Sequence, residues 1–157
     1  GYGYSCHVCL LRPYSRGTVS LASAEYKDAP LVNPNFLNDN RDVDTLIKGA
    51  KMTQNILNTP PLKKYQKREI YGVHSNLTDK EWEQHIRNRA DTIYHPVGTC
   101  KMGVDEMSVV DSKLKVKGIK NLRVVDASIM PSITSGNTNS PTLMIAEKAS
   151  EMILNEV

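Results

Sequence analysis

A histidine in a short loop of proline and glycine is the side chain best placed for chemistry in this sequence. His95 lies in the run Y-H-P-V-G-T-C-K-M-G (94–103), which contains one proline and two glycines. Such a loop can hold a side chain at a fixed angle while a ligand approaches the backbone. The other histidines have no chemical group assembled beside them, and structural roles are favoured for His7, His74 and His85.

The start of a predicted helix near residue 140 is a second feature that could contribute to a site. Ser140 is a good capping residue and Pro141 suits the first helical position. The apolar face of the helix is then marked by Ile145, Ala149, Met152 and Ile153. Unpaired backbone N–H groups and the positive end of the helix dipole favour an anion at such a start. An anion site beside a titratable base would suit proton and hydride chemistry.

A C-x-x-C run near the beginning offers a different kind of site. Cys6-His7-Val8-Cys9 matches the spacing, but Cys100 is the only other cysteine. A total of three cysteines suits neither a disulfide framework nor a four-ligand zinc site. We favour a strand over residues 5–11 in which Cys6 and Val8 face one way and His7 and Cys9 the other. A metal or redox site is the alternative, and the redox compartment stays open.

The composition is that of an ordinary globular chain. With 157 residues, of which 39% are hydrophobic and 24% charged, it can bury one core. The net charge of +3 is small and its lysines and arginines are dispersed, so neither nucleic acid nor an acidic membrane surface is indicated. No apolar run approaches the roughly 20 residues that span a bilayer. The opening residues G-Y-G-Y resemble neither a signal peptide nor an initiator methionine, and we expect a longer parent chain.

Local patterns predict two helices before the His95 loop. Apolar residues recur at helical spacing over 42–58, and Thr59-Pro60-Pro61 ends the run. Thr78 and Glu81 form a capping-box pattern before a second helix over 79–90.

The predicted strands are short. Runs 5–11 and 18–22 form a hairpin around the turn residues 13–17, and 28–35 is an extended loop punctuated by prolines. Further β-prone runs lie at 109–111 and 121–126.

Three separated motifs carry a family resemblance. Residues 94–103, 122–131 and 136–142 resemble, in order and spacing, the closing signature of the glucose-methanol-choline (GMC) oxidoreductases. Upstream, 11–17 and 30–35 resemble that family's entry into its substrate domain, so the likeness covers nearly the whole chain. Insect glucose-dehydrogenase-like members look closest, and choline dehydrogenases belong to the same family.

The resemblance implies an α+β fold with a mainly antiparallel sheet and flanking helices. Residues 1–157 would be the family's C-terminal domain, and 121–157 a terminal strand and helix that return to the flavin domain. Members bind FAD chiefly through an N-terminal Rossmann-like domain with a G-x-G-x-x-G turn, and this chain contains no such motif. The expected partners are therefore that missing domain and an alcohol or sugar substrate, with no nucleic acid and no membrane span.

The resemblance also assigns roles in the site. His95 would accept the substrate hydroxyl proton while hydride passes to flavin N5, and Asn137 would orient the alcohol. Cofactor contacts are implied for Asp126, Ala127, Thr138 and Asn139, and no metal ligand is implied. The residues alone favour a turn cap at Asp126, and leave Asn137 and Asn139 open between site and capping roles.

Several features stay open. A non-enzymatic interaction module that keeps the family fold is the rival function. The substrate, the electron acceptor and the location are not assigned, although the family resemblance allows secretion. Apolar side chains are expected to face the absent flavin domain at Val124, Ile129, Met130, Leu143 and Met144.

Overall fold

The computed structural model describes residues 3–73 and 76–156, and the chain divides into two compact units. Unit 1 comprises Gly1–Arg16 and Asn35–Asp91, and unit 2 comprises Gly17–Pro34 and Thr92–Val157. Each unit has its own cluster of buried apolar side chains. His74 lies outside the described residues.

Unit 1 is built on helices. These are α1 (Asn40–Leu57), α2 (Pro60–Lys63) and α3 (Asp79–Arg89). The two helices predicted over 42–58 and 79–90 are thus confirmed within two residues at each end. Their shared core consists of Val43, Ile47, Trp82 and Ile86, two residues from each helix at a spacing of four. That spacing places each pair on one helical face, as the apolar periodicity predicts.

The capping box at the start of α3 is also confirmed. The Thr78 hydroxyl accepts a hydrogen bond from the backbone N–H of Glu81 at 3.3 Å. The Glu81 carboxylate in turn accepts one from the backbone N–H of Thr78 at 2.7 Å. Two backbone donors that the helix leaves unpaired are satisfied in this way.

A buried carboxylate ties the first segment of the chain to α1. Asp42 is 1% exposed and accepts hydrogen bonds from the backbone N–H groups of Tyr14 and Ser15, each at 2.8 Å. The Ser15 hydroxyl donates a third bond to it at 2.6 Å. Burial alone raises the pKa of Asp42, but the bonds from Ser15 and the two backbone amides outweigh burial and leave the pKa below its usual value.

Among the residues that the structure describes, the only sheet is a short two-stranded ribbon in unit 2. Strand β1 (Thr18–Ser20) pairs antiparallel with β2 (Leu31–Asn33), and Val19 lies opposite Val32. Gly17 leads into this ribbon, and a Cβ there would lie 2.3 Å from the carbonyl oxygen of Asn33. The close approach of two backbones therefore requires glycine at this position.

The predicted hairpin between 5–11 and 18–22 is wrong. Residues 5–11 form no strand, and the partner of β1 is the 31–33 segment that we expected to be loop. The backbone partner of β1 is supplied by residues 31–33, and the run 5–11 belongs to unit 1, where Tyr14 and Ser15 next to it donate their backbone N–H groups to Asp42. The alternating strand predicted around Cys6 and Cys9 fails with it, and both cysteines are exposed.

Unit 2 has its core around a tight turn and a long helix. The turn is a 3-10 helix at Ala127–Ile129, and α4 spans Asn139–Leu154. The buried cluster consists of Val110, Leu114, Ile129, Met130, Ile145 and Ala149. Ile129 and Met130 were expected on an exposed face, and that expectation is wrong because they complete this core.

The β-prone runs 109–111 and 121–126 contribute isolated bridges rather than strands. Val110 bridges to Met102 and Val116, and Lys115 bridges to Arg123. The backbone turns between them, with φ of 62° at Leu114 and 61° at Asn121, so no ladder extends. The α+β class is nonetheless confirmed, with a smaller sheet than expected. Among the described residues, none of the helices combines the length and the apolar composition of a membrane span.

The hydrogen bonds to the buried Asp42 carboxylate predict that the stability of the fold depends on pH. Asp42→Asn should lower the free energy of unfolding at pH 7 by about 2–3 kcal/mol, because hydrogen bonds to a charged acceptor are lost. The pKa of folded Asp42 is lowered, so its contribution is complete above the unfolded pKa of about 3.9 and is lost as the pH falls through the folded pKa.

The measurement is denaturant unfolding of wild type and variant between pH 7 and pH 2. Their difference should shrink as the solution becomes acidic. Asp44→Asn, an exposed neighbour on α1, removes the same charge and should change little. A difference that persists undiminished at pH 2 would contradict the assignment.

Candidate active site

The His95 loop has no regular secondary structure, as predicted, and its path is set by two unusual backbone conformations. Tyr94, directly before the histidine, has φ of 63°, and Gly98 has φ of 89°. A tyrosine rarely adopts the left-handed region, so this conformation is held by its surroundings. A Cβ at Gly98 would lie 3.3 Å from the carbonyl oxygen of Met130, so the loop runs close against buried backbone.

Backbone hydrogen bonds anchor the end of this loop to the tight turn. The N–H of Cys100 donates to the carbonyl of Ser128 at 3.0 Å. The N–H of Met102 donates to the carbonyl of Ile129 at 2.7 Å. Because Ile129 is a core residue, the loop that carries His95 is attached to the buried part of unit 2.

Asp126 and Ala127 form the start of that turn. The Asp126 carboxylate accepts a hydrogen bond from the backbone N–H of Ser128 at 2.7 Å, which caps the turn. Ala127 is half-buried and packs against the unit 2 core. The capping role that the residues alone favoured therefore describes the Asp126 side chain. Contact of either residue with a cofactor stays a prediction.

Helix α4 begins before the predicted capping residue. Thr138, not Ser140, is the N-cap, and the backbone N–H and the hydroxyl of Thr142 both donate to the Thr138 carbonyl, at 3.0 and 2.6 Å. These bonds close the first helical turn ahead of Ser140, which is why the predicted cap was wrong. Pro141 then lies at the third helical position, where its missing N–H leaves no bond unmade.

The central contact of the site joins the loop to this helix start. Nδ1 of His95 lies 3.1 Å from the hydroxyl oxygen of Thr138. Thr138 is 9% exposed and His95 is half-buried. Although Thr138 occupies the N-cap position, its side chain makes no capping bond to α4. Its hydroxyl is directed to the histidine instead.

The two asparagines of the site flank Thr138 along the chain. Asn137 and Asn139 are both exposed, and Asn139 is the first residue of α4. The chain enters this segment through Ser135, which has φ of 67°. The structure thus brings His95 together with the 137–139 segment, whereas Asp126 and Ala127 belong to the turn that anchors the loop.

The structure offers one contact that sequence reasoning did not find. Thr138 was predicted as a cofactor contact, and its bond to His95 spans 43 positions of the chain. No local pattern signals such a pair. Within residues 3–73 and 76–156, no group of three or more His, Cys, Asp or Glu side chains could hold a metal ion.

Comparison with known proteins identifies the family. The family model described as GMC oxidoreductase matches residues 13–146. The chain belongs to the GMC oxidoreductases. It is 52% identical over its whole length to an alcohol dehydrogenase [acceptor] of Pseudomonas putida, and 43% identical over 97% of its length to an oxygen-dependent choline dehydrogenase of Citrobacter koseri. It spans 28% and 27% of those two relatives.

Solved structures agree with this assignment. Pyridoxine 4-oxidase from Mesorbium loti matches 90% of this GMC chain with a TM-score of 0.84 and 34% identity. Formate oxidase of Aspergillus oryzae, studied for the modification of its FAD, matches 94% with a TM-score of 0.85 and 33% identity. The chain covers 28% and 26% of those proteins. The special likeness to insect glucose dehydrogenases stays a prediction.

The close approach at Gly98 can be tested against a second glycine. Gly98→Ala should lower the free energy of unfolding by about 1–2 kcal/mol from the left-handed conformation alone, and by more because its Cβ crowds the Met130 carbonyl. Gly118→Ala has the same kind of backbone, with φ of 79°, but open space around the new Cβ. Denaturant unfolding should therefore give a lower free energy of unfolding for Gly98→Ala than for Gly118→Ala. Equal losses would show that the contact with Met130 is unimportant.

Proposed function

We propose that this chain is the C-terminal part of an FAD-dependent oxidoreductase that acts on the CH–OH group of an alcohol or sugar. The observation that carries the proposal is the His95 loop, which is anchored to the core of unit 2 and hydrogen-bonded to the start of α4. The relatives support the reaction class, since they include an alcohol dehydrogenase, a choline dehydrogenase and two oxidases. Which alcohol or sugar is oxidised depends on residues beyond these motifs.

The start of α4 suits the flavin that the family implies. The Thr138 side chain makes no capping bond to this helix, and the positive end of the helix dipole suits a negative charge. In this proposal Asp126, Ala127, Thr138 and Asn139 lie along the cofactor. When bound, FAD supplies the acceptor for the hydride.

The chain's own residues divide the work on the substrate. His95 takes the proton of the substrate hydroxyl, because an imidazole is the one group in this site that can act as a base near neutral pH. Asn137 is an amide and cannot take that proton, so it orients the alcohol by hydrogen bonding. Its exposed position beside Thr138 leaves the amide open to a ligand.

The remainder of the enzyme would hold most of the cofactor. Adenine and pyrophosphate are held in this family by a glycine-rich helix start, and no G-x-G-x-x-G run occurs in these 157 residues. Leu143 and Met144 on α4 are 61% and 60% exposed, which suits docking against another part of the protein. We propose that residues 121–157 form the segment that returns to the flavin domain.

The base is tested by His95→Ala in the full-length enzyme. Flavin reduction by substrate should slow by roughly a hundredfold or more, while FAD stays bound. Rapid mixing with detection of flavin bleaching is the measurement. His7→Ala, at an exposed histidine of unit 1, is the matched control and should reduce flavin normally. A normal rate in His95→Ala would remove His95 from the mechanism.

The role of Asn137 is tested by comparing two replacements. Asn137→His should retain more activity than Asn137→Ala, because an imidazole still presents a hydrogen-bonding nitrogen. The rate of flavin reduction at saturating substrate separates the two, with bound FAD measured in each variant. If the histidine and alanine variants react equally fast, Asn137 is only a loop residue.

A further inference from the structure

We propose that Thr138 is a positioning residue for His95. Its hydroxyl accepts a hydrogen bond from Nδ1–H of the imidazole, and Nε2 is thereby left as the atom that takes the substrate proton. This inference rests on the proposed function and adds to it the residue that selects the working nitrogen.

The geometry of Thr138 suits this task. Its hydroxyl oxygen is 3.1 Å from Nδ1, and the residue is 9% exposed, so water competes little for the bond. A β-branched side chain has few rotamers, and the Thr138 carbonyl is held by two bonds from Thr142. The hydroxyl is therefore presented from a fixed point at the start of α4.

The missing cap at the start of α4 agrees with this assignment of the hydroxyl. Threonine at an N-cap ordinarily accepts a bond from the backbone of the first helical turn, which contributes about 1 kcal/mol to stability. Thr138 occupies that position without making the bond, and His95 is the partner of its hydroxyl. The start of α4 therefore lacks a capping hydrogen bond, and the same hydroxyl is hydrogen-bonded to His95 instead.

The tautomer follows from the inventory of donors and acceptors. In a neutral imidazole one nitrogen carries a hydrogen and the other is a free base. If the hydroxyl accepts from Nδ1–H, Nε2 is the base, and the same bond persists after Nε2 has taken a proton. If the hydroxyl donated instead, Nε2 would carry the hydrogen and could not act as the base. Proton acceptance by His95 therefore requires the first arrangement.

The experiment removes the Thr138 hydroxyl in two backgrounds, one that has His95 and one that has the His95→Ala substitution. In the full-length flavoenzyme, Thr138→Val keeps the shape of the side chain and should slow flavin reduction about 10- to 100-fold through misplacement of the imidazole. Thr138→Ser restores the hydroxyl and should react within a few-fold of wild type. In the His95→Ala background, Thr138→Val should cause no further loss, because the two residues act as one unit.

Controls separate positioning from folding. Ser150→Ala removes an exposed hydroxyl from the same helix, where it bonds to the Ala146 carbonyl and contacts neither Thr138 nor His95, and it should leave the rate near that of wild type. Bound FAD and the melting temperature are measured for every variant. If the valine variant loses FAD, Thr138→Ala removes the same hydroxyl with less bulk and takes its place in the comparison.

The outcomes distinguish the two proposals. A wild-type rate in the valine variant, or an equal loss with and without His95, would overturn the positioning role of Thr138. A wild-type rate in His95→Ala would instead overturn the proposed base, whatever Thr138 does. A loss in the valine variant that serine rescues and that disappears in the His95→Ala background supports both.

Discussion

The contact between the His95 loop and the Ala127–Ile129 turn is the constraint on which the rest of the site depends. It consists of two backbone hydrogen bonds, from Cys100 to Ser128 and from Met102 to Ile129. Because the donors and acceptors are main-chain groups, the contact fixes the path of the loop regardless of the side chains at 100 and 102. Ile129 belongs to the same buried cluster as Ile145 of α4. A single small core thus holds both halves of the site.

Strained backbone conformations lie next to both segments of the candidate site. Tyr94 and Ser135 have φ of 63° and 67°, and each lies just before a segment of the candidate site. A residue held in that region costs on the order of 1 kcal/mol or more and persists only where the surroundings determine it. Unit 2 has little regular sheet to impose such order. The buried cluster and the turn bonds must therefore impose it.

The parts of the fold that depend on local order were predictable from sequence. Periodic apolar residues gave α1, and the pair Thr78 and Glu81 gave the start of α3, since both signals act within a few residues. The β runs were not predictable in the same way. Residues 18–20 were predicted to pair with 5–11, whereas in the structure they pair with residues 31–33. That choice is made by tertiary contacts, which β propensity does not report.

The candidate site is indicated by the family motifs rather than by local rules, and its physical basis explains why. Capping preference placed the start of α4 at Ser140, whereas the chain begins the helix at Thr138 and leaves its hydroxyl to His95. Local preference fails where a distant partner competes for the same group, and here the competitor lies 43 positions away. A missing cap weakens one helix end by about 1 kcal/mol. A folded core can tolerate that loss in exchange for a fixed imidazole, and violations of this kind are expected where function constrains the chain.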